Sequence, residues 1–140
     1  MNDRGEPTWQ PISMLPTIAM LIDASLSDAR EHYATLLEAR PKPHVLDDAT
    51  IARVKRVNGE SIEYCDVYDE QLRRWRTGPL TSAQKREVVR LEGANRDWRA
   101  ALTNILALAD ELATGTIERQ LSKTDLELGV EYLLRGYPPR

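Results

Sequence analysis

The sequence predicts an all-α protein, a bundle of three to four helices built on a long antiparallel αα-hairpin, and three observations carry that prediction. Eight prolines, at 7, 11, 16, 41, 43, 79, 138 and 139, leave three long proline-free windows. Within these windows apolar side chains recur in alternating steps of three and four, the period of one helical face. The second and third windows meet at Thr77-Gly78-Pro79, a helix stop too short to let the chain do anything but turn back.

Proline is tolerated in a first turn and excluded from a helix interior, so the prolines mark edges. The first helix is expected over about 14–40, with Ser13 as N-cap, Pro16 in the opening turn and a stop before Pro41. Its stripe runs Leu15, Ile18, Ile22, Ser25, Ala29, His32, Leu36. The second, about 48–76, opens at Asp47 or Asp48, acids suited to capping and to the positive end of the helix dipole. Its stripe is Ile51, Val54, Asn58, Ser61, Cys65, Tyr68, Leu72, Trp75. The third, about 81–113, begins with the capping-box pair Thr81 and Gln84 and carries Val88, Leu91, Asn95, Trp98, Leu102, Ile105, Ala109 and Leu112. Two such helices joined by about four residues form a hairpin roughly 45 Å long.

Asn58-Gly59 is the weak point, since Asn-Gly is a strong turn dipeptide, but the stripe keeps its phase on both sides and a continuous helix is expected. If facing residues sum to about 157, Asn58 lies one turn from Asn95, and the two soft patches meet. After Gly115, Thr116 is expected to cap a short turn through Leu121, and Ser122 with Asp125 to start a separate helix over about 123–135, ended by Gly136. Residues 1–12 and 136–140 are expected to be mobile ends of a single domain spanning 1–140.

The apolar breadth of the third helix around Ile105, Leu106 and Leu108, and of the first around Met14, Met20 and Leu21, suggests that helices one to three close a bundle where those regions meet. The far end, around Trp75, Leu80 and Val88, has a narrower stripe, so the hairpin tip is expected to protrude or to meet another copy of the chain. Tyr64, Tyr68, Leu72, Trp75, Leu80 and Val88 are the candidate partner interface.

Composition bounds the function. With 140 residues, 41% hydrophobic, 29% charged and a net charge of −3, the chain is long enough for a core without metals or disulfides and is neither disordered nor collagen-like. A lone cysteine, Cys65, fits a reducing, cytoplasmic setting. The longest nearly apolar run, Met14 to Ile22, is short of the roughly 20 residues of a span, so no membrane segment is expected. Acidic residues near the start argue against a signal peptide. Fifteen of the nineteen basic residues are Arg, as expected of a GC-rich bacterial genome.

Site chemistry is sparse. His32, His44 and Cys65 are all the soft metal ligands, without the short ligand spacings of a zinc site. Glu60, Glu63, Asp66, Asp69 and Glu70 read as a solvated face, with Asp69–Arg73 and Glu70–Arg74 as i, i+4 pairs. There is no phosphate-binding glycine loop and no nucleophile elbow. No catalytic residue, metal or cofactor is assigned, and the chain is expected not to be an enzyme.

Arg73, Arg74, Arg76, Lys85, Arg86 and Arg90 gather at the predicted tip around Trp75, the one hint of nucleic-acid contact. Four acids lie among them, and the basic residues of helix two also suit its negative end. A helix-turn-helix over 116–134 would bring Asp125, Glu127 and Glu131 to phosphate, a repulsive arrangement. Asn58 and Asn95 interrupt apolar seams, where polar residues fix register or oligomeric state, or are satisfied by helix one or water. The expected function is therefore a non-catalytic helical-bundle protein that self-associates, plausibly as a homodimer, or docks a protein partner. The alternative is a small nucleic-acid accessory protein using the basic tip.

Overall fold

The computed structural model describes residues 7–134, with backbone alone at 123–125, 128, 131 and 132. Four helices follow one another: α1 (Leu15–Leu37), α2 (Asp48–Arg76), α3 (Ser82–Leu112) and α4 (Ile117–Leu134), with no strand among the described residues. The first three pack as a bundle in which α3 is central, in close contact with α2 on one side and α1 on the other.

Capping explains most of the boundaries. Asp47 accepts from the Thr50 amide at 2.7 Å and starts α2; the Thr50 hydroxyl first and this amide second hold its carboxyl below the usual range. Thr81 and Gln84 form the reciprocal capping box of α3, at 3.1 and 2.9 Å. The α1 start differs from expectation: Ser13 is not the cap, because a 3-10 turn (Ile12–Met14) leads straight into Leu15 with no side-chain cap. The α-helix closes at Leu37, and residues 38–41 continue as hydrogen-bonded turns up to Pro41. α2 is continuous through Asn58-Gly59. A Cβ at Gly59 would meet nothing within 4 Å, so the glycine is not needed to relieve crowding.

The seams fix two registers. Between α2 and α3, Asp66 pairs with Arg99, Arg76 with Glu92 and Lys55 with Asp110, so paired numbers sum to 165–168 and the helices are antiparallel. The expected sum of 157 is thus off by about two to three turns, and the Asn58 and Asn95 patches do not meet. Asn58 donates to its own helix at Val54 O, while Asn95 donates to Cys65 O. Between α1 and α3, Asp23 pairs with Arg90, Arg30 with Asp97 and Arg40 with Glu111, offsets of 67, 67 and 71 that make these helices parallel.

Parallel packing corrects the expected bundle. The broad N-terminal half of α1 does not meet the C-terminal half of α3. Two chain reversals bring it back to the hairpin tip, where Leu15, Ile18, Ala19 and Ile22 pack on Leu72, Trp75, Val88 and Leu91. The tip is therefore covered by the protein's own first helix and does not protrude. A second cluster joins Ala29 and Leu36 to Ile51, Val54, Trp98, Leu102 and Ile105 toward the opposite end. Each large apolar side chain so buried contributes about 1.5–3 kcal/mol.

Residues 7–11 are not loose either. Gln10 N–H donates to Gln71 Oε1 at 2.7 Å, and its carbonyl accepts from Trp75 Nε1 at 2.9 Å, which straps the segment across the tip. Residues 1–6, and the expected Gly136 stop with its tail, lie outside the described residues.

At the opposite end α4 is a single helix where a turn and a separate helix were expected. Thr116 is buried and stands at the N-cap position expected of it, extended in backbone with its carbonyl accepting from Gln120 N–H, and its hydroxyl donates to Asp48 Oδ1 at 2.6 Å. Ile117 N–H donates to Leu46 O and Asp48 N–H to Glu118 Oε1, so the first turn of α4 is tied to the first turn of α2. With its start fixed from outside, no break at Ser122 is needed.

Candidate functional site

The basic tip resolves into ion pairs. Glu70 accepts from both Arg73 and Arg74, and these hydrogen bonds, Arg73 first, hold its carboxyl below the usual range. Arg76 pairs with Glu92 at 3.4 Å, and Arg90 is held between Glu87 at 2.8 Å and Asp23 at 3.0 Å. Arg74 also lies over the Trp9 ring, 4.3 Å from its centroid, a cation–π contact. Lys85 and Arg86 have no ion pair among the described residues and flank a shallow depression of about 620 Å³ with Ser82, Val89 and Arg90.

The expected interface splits in two. Leu72, Trp75 and Val88 are core residues of the hairpin tip, closed off by α1, and offer no surface. Leu80 is half-buried beside them. Tyr64 is 61% exposed, and Tyr68 is half-buried with its ring 6.0 Å from Trp98.

Tyr68 borders a groove that the sequence did not reveal. Because α1 and α2 both pack on α3 rather than tightly on each other, a furrow runs between them with α3 as its floor. Near the tip it holds a cavity of about 290 Å³ where Ile18 and Leu21 of α1 face Tyr68 and Gln71 of α2, and Thr8, Trp9 and Gln10 of the N-terminal strap close that end. Midway it becomes a polar cavity of about 300 Å³, where Ser25, Asp28 and His32 of α1 face Asn58 and Ser61 of α2 over Trp98. These are the polar positions of the expected stripes: Ser25, His32 and Ser61 mark where α1 and α2 part.

The acids of α2 do more than solvate a face. Asp69 does not pair with Arg73; it accepts from Arg99 at 2.7 Å and from the buried Asn95 amide at 2.6 Å. Arg99 also reaches Asp66, so one guanidinium ties two carboxylates across the seam. Asn95 is fully buried, and its Oδ1 has no hydrogen-bond partner. Behind this cluster Cys65 is sealed, and burial pushes its thiol up to about 11. His44 is exposed in the 3-10 turn Pro43–Val45. Among the described residues no three His, Cys, Asp or Glu side chains come together as a set that could hold a metal.

α4 is the most exposed apolar element. Leu126 is 69%, Leu133 75% and Leu134 82% exposed, with Leu121 and Val130 also open to solvent. In contrast, Ile12–Leu37 is long and apolar enough to cross a membrane by length and composition, because its apolar residues are spread over the whole helix rather than gathered in the run Met14 to Ile22. In the fold its Leu15, Ile18, Ile22, Ala29 and Leu36 are buried against the hairpin. No family model, curated protein or solved structure matches this chain.

Proposed function

We propose that the protein is a non-catalytic helical interaction module in which α1–α3 form the scaffold and α4 is the docking element. One observation carries this reading: α4 is anchored by its first turn and leaves Leu126, Val130, Leu133 and Leu134 in solvent. An isolated helix of this length is marginal in water, and an apolar helical face gains its stability by burial against another surface. The test is affinity capture from lysate of the source organism, comparing the wild-type chain with Leu126→Glu/Leu133→Glu and scoring both other proteins and an untagged copy of the chain. Loss of a specific binder in the variant supports the reading. An identical set of retained proteins from the two baits overturns it.

A second reading, a nucleic-acid accessory role, draws support from Lys85 and Arg86, which lie beside each other without ion pairs among the described residues. It requires binding to duplex or single strand that weakens steeply with salt and is lost in Lys85→Gln/Arg86→Gln. The pairing of Arg73, Arg74, Arg76 and Arg90 with carboxylates leaves little of the tip free for phosphate.

A further inference from the structure

We propose that the polar cavity between α1 and α2 is a binding site for a small primary amine that also carries a hydrogen-bond acceptor. The inference does not depend on α4. Two observations carry it: enclosed polar atoms that have no partner in the protein, and the balance of donors and acceptors around them.

Asn58 is 4% and Trp98 5% exposed, so both side chains are almost wholly enclosed. Asn58 donates one amide hydrogen to Val54 O and leaves its Oδ1 without a partner, and the Trp98 indole N–H makes no hydrogen bond. Among the described residues the one sealed side-chain atom without a partner is Asn95 Oδ1, so the Asn58 and Trp98 atoms are reached from outside. The opening that both residues line is this cavity of about 300 Å³. Polar atoms so placed carry a desolvation cost that a ligand of the right chemistry recovers. The α1 wall adds Ser25, Asp28 and His32, one helical face in steps of three and four. None of these three side chains makes a hydrogen bond or ion pair among the described residues.

The fixed chemistry of the set selects the ligand. Asn58 Oδ1 and the Asp28 carboxylate can only accept. Ser61 gives its hydroxyl hydrogen to Val57 O at 3.1 Å, so it too has only acceptor capacity left. Trp98 Nε1 can only donate. A primary ammonium brings three N–H donors for the three acceptors and a positive charge for Asp28, and a hydroxyl or carbonyl elsewhere on the ligand accepts from the indole. Ser25 and His32 can donate or accept and so suit either group. No Lys or Arg lines the cavity, which disfavours phosphates and carboxylates beside Asp28. Trp98 and Leu102 supply an apolar floor for the carbon body, and the volume is at the low end of small-molecule sites.

The test follows the indole N–H resonances of the full, isotope-labelled chain. Trp98 reports the site, and Trp75, whose Nε1 donates to Gln10 O at 2.9 Å, is the internal control. The probes are ethanolamine, aminopentanol and tyramine, each a primary amine with a hydroxyl. Their matched alcohols are ethylene glycol, pentanediol and tyrosol, in which a second hydroxyl replaces the ammonium. At least one amine is expected to move the Trp98 resonance saturably while that of Trp75 stays in place. The matched alcohol is expected to bind at least about tenfold more weakly, and Asp28→Asn to weaken the amine by about the same factor. Asp28 is exposed, and circular dichroism checks that the variant keeps its helices. A Trp98 resonance unmoved by all three amines overturns the site. An alcohol that binds as well as its amine, or undiminished binding to Asp28→Asn, overturns the assignment of an ammonium to it.

Discussion

Leu91, Leu102, Leu108 and Leu112 on α3 are sealed, whereas Leu121, Leu126, Leu133 and Leu134 on α4 stand in solvent, although both helices are rich in leucine. The difference is one of phase. α3 keeps one face in steps of three and four from Val88 to Leu112, apolar at every position but Asn95, so that face can be covered along its whole length by α1 and α2. On α4 the step from Leu121 to Leu126 is five, about 140° around the helix, and the apolar residues fall on two sides. α4 also packs chiefly on the 3-10 turns Pro43–Val45 and Ala113–Gly115 rather than on another helix, so Leu121 and Leu126 on its two sides are both open. Abundance of leucine does not bury a helix; a single face set against a neighbouring helix does.

The largest expected effect tests that contrast directly. Ile105 is fully buried in the second core cluster, and Ile105→Ala is expected to lose about 2–5 kcal/mol in urea unfolding. Leu126→Ala, measured on protein dilute enough to be monomeric, is expected to stay within about 0.5 kcal/mol of wild type. A loss above 2 kcal/mol at Leu126 would make α4 part of the body and remove the distinction.

Asn95 offers a comparably large effect inside the body. It is fully buried and donates to Cys65 O and to Asp69, whose other oxygen already takes up Arg99. Asn95→Asp places a buried negative charge against Asp69 and is expected to cost about 3 kcal/mol at pH 7. The loss should shrink as the pH is lowered and the new carboxyl is protonated. Asn95→Leu, which also removes the unpartnered Oδ1, is expected to be close to neutral in stability. Urea titrations at pH 5 and pH 7 check both.

The body was largely legible because helical periodicity and caps are local. Asp47, the Thr81–Gln84 box and the α3 stripe are each written within a few residues, and each holds in the structure. What was not legible is long-range. The interface drawn through Leu72, Trp75 and Val88 assumed an uncovered tip, but nothing local says that α1 runs parallel to α3 and closes it. The groove was hidden for the same reason. Ser25, His32 and Ser61 read as blemishes in apolar stripes until the helices were seen to part around them. The strap of Trp9 and Gln10 on the tip had no signal, since a short polar and aromatic stretch between prolines has no period to read. At Ser122 a valid capping signal was present, but hydrogen bonds donated by Thr116 and Ile117 and accepted by Glu118 had already fixed where α4 begins.

Glycine sharpens the same comparison, because one substitution should have opposite signs in the two regions. A Cβ at the buried Gly115 would lie 2.5 Å from Pro43 Cγ and 3.1 Å from Pro43 Cβ, at the junction where α4 is fastened. Gly115→Ala is expected to destabilise by about 1–3 kcal/mol through that overlap. At Gly129 in α4 nothing lies within 4 Å, so Gly129→Ala is expected to stabilise the helix by up to about 1 kcal/mol. Thermal melts followed by helical circular dichroism at low protein concentration read both.

Cys65 reports on the body through pH. Its folded thiol is pushed up to about 11 by burial, above the ordinary value of 9.0, so below pH 9 both states are protonated and the group is neutral in its effect. Above pH 9 the unfolded thiol ionises while the folded one does not, and stability falls until the pH passes the folded value. Between pH 8 and pH 10 this group is expected to remove about 1 kcal/mol, a loss absent from Cys65→Ala. The same burial predicts that a thiol reagent at pH 8 reacts only as urea opens the fold. Rapid labelling of the native chain would mean that the α2/α3 seam opens readily.

The smallest effect lies in the charges between α1 and α3. Asp23–Arg90 and Arg30–Asp97 are spaced seven residues apart on both helices, and the charge order reverses from one rung to the next. Both pairs are solvent-exposed, so Asp23→Asn is expected to cost less than about 1 kcal/mol, and less still in high salt. Their role is register rather than strength. Sliding α1 by one heptad would set Asp23 against Asp97, a like-charge contact, while the apolar stripe alone would tolerate the shift. Swapping one rung, Asp23→Arg with Arg90→Asp, gives both rungs the same order and removes the penalty for the slide. The double variant is expected to match wild type in stability within about 0.5 kcal/mol but to show doubled or broadened amide resonances along α1. A single sharp set of resonances would mean that packing of Ile18, Ile22 and Leu36 sets the register without help from charge.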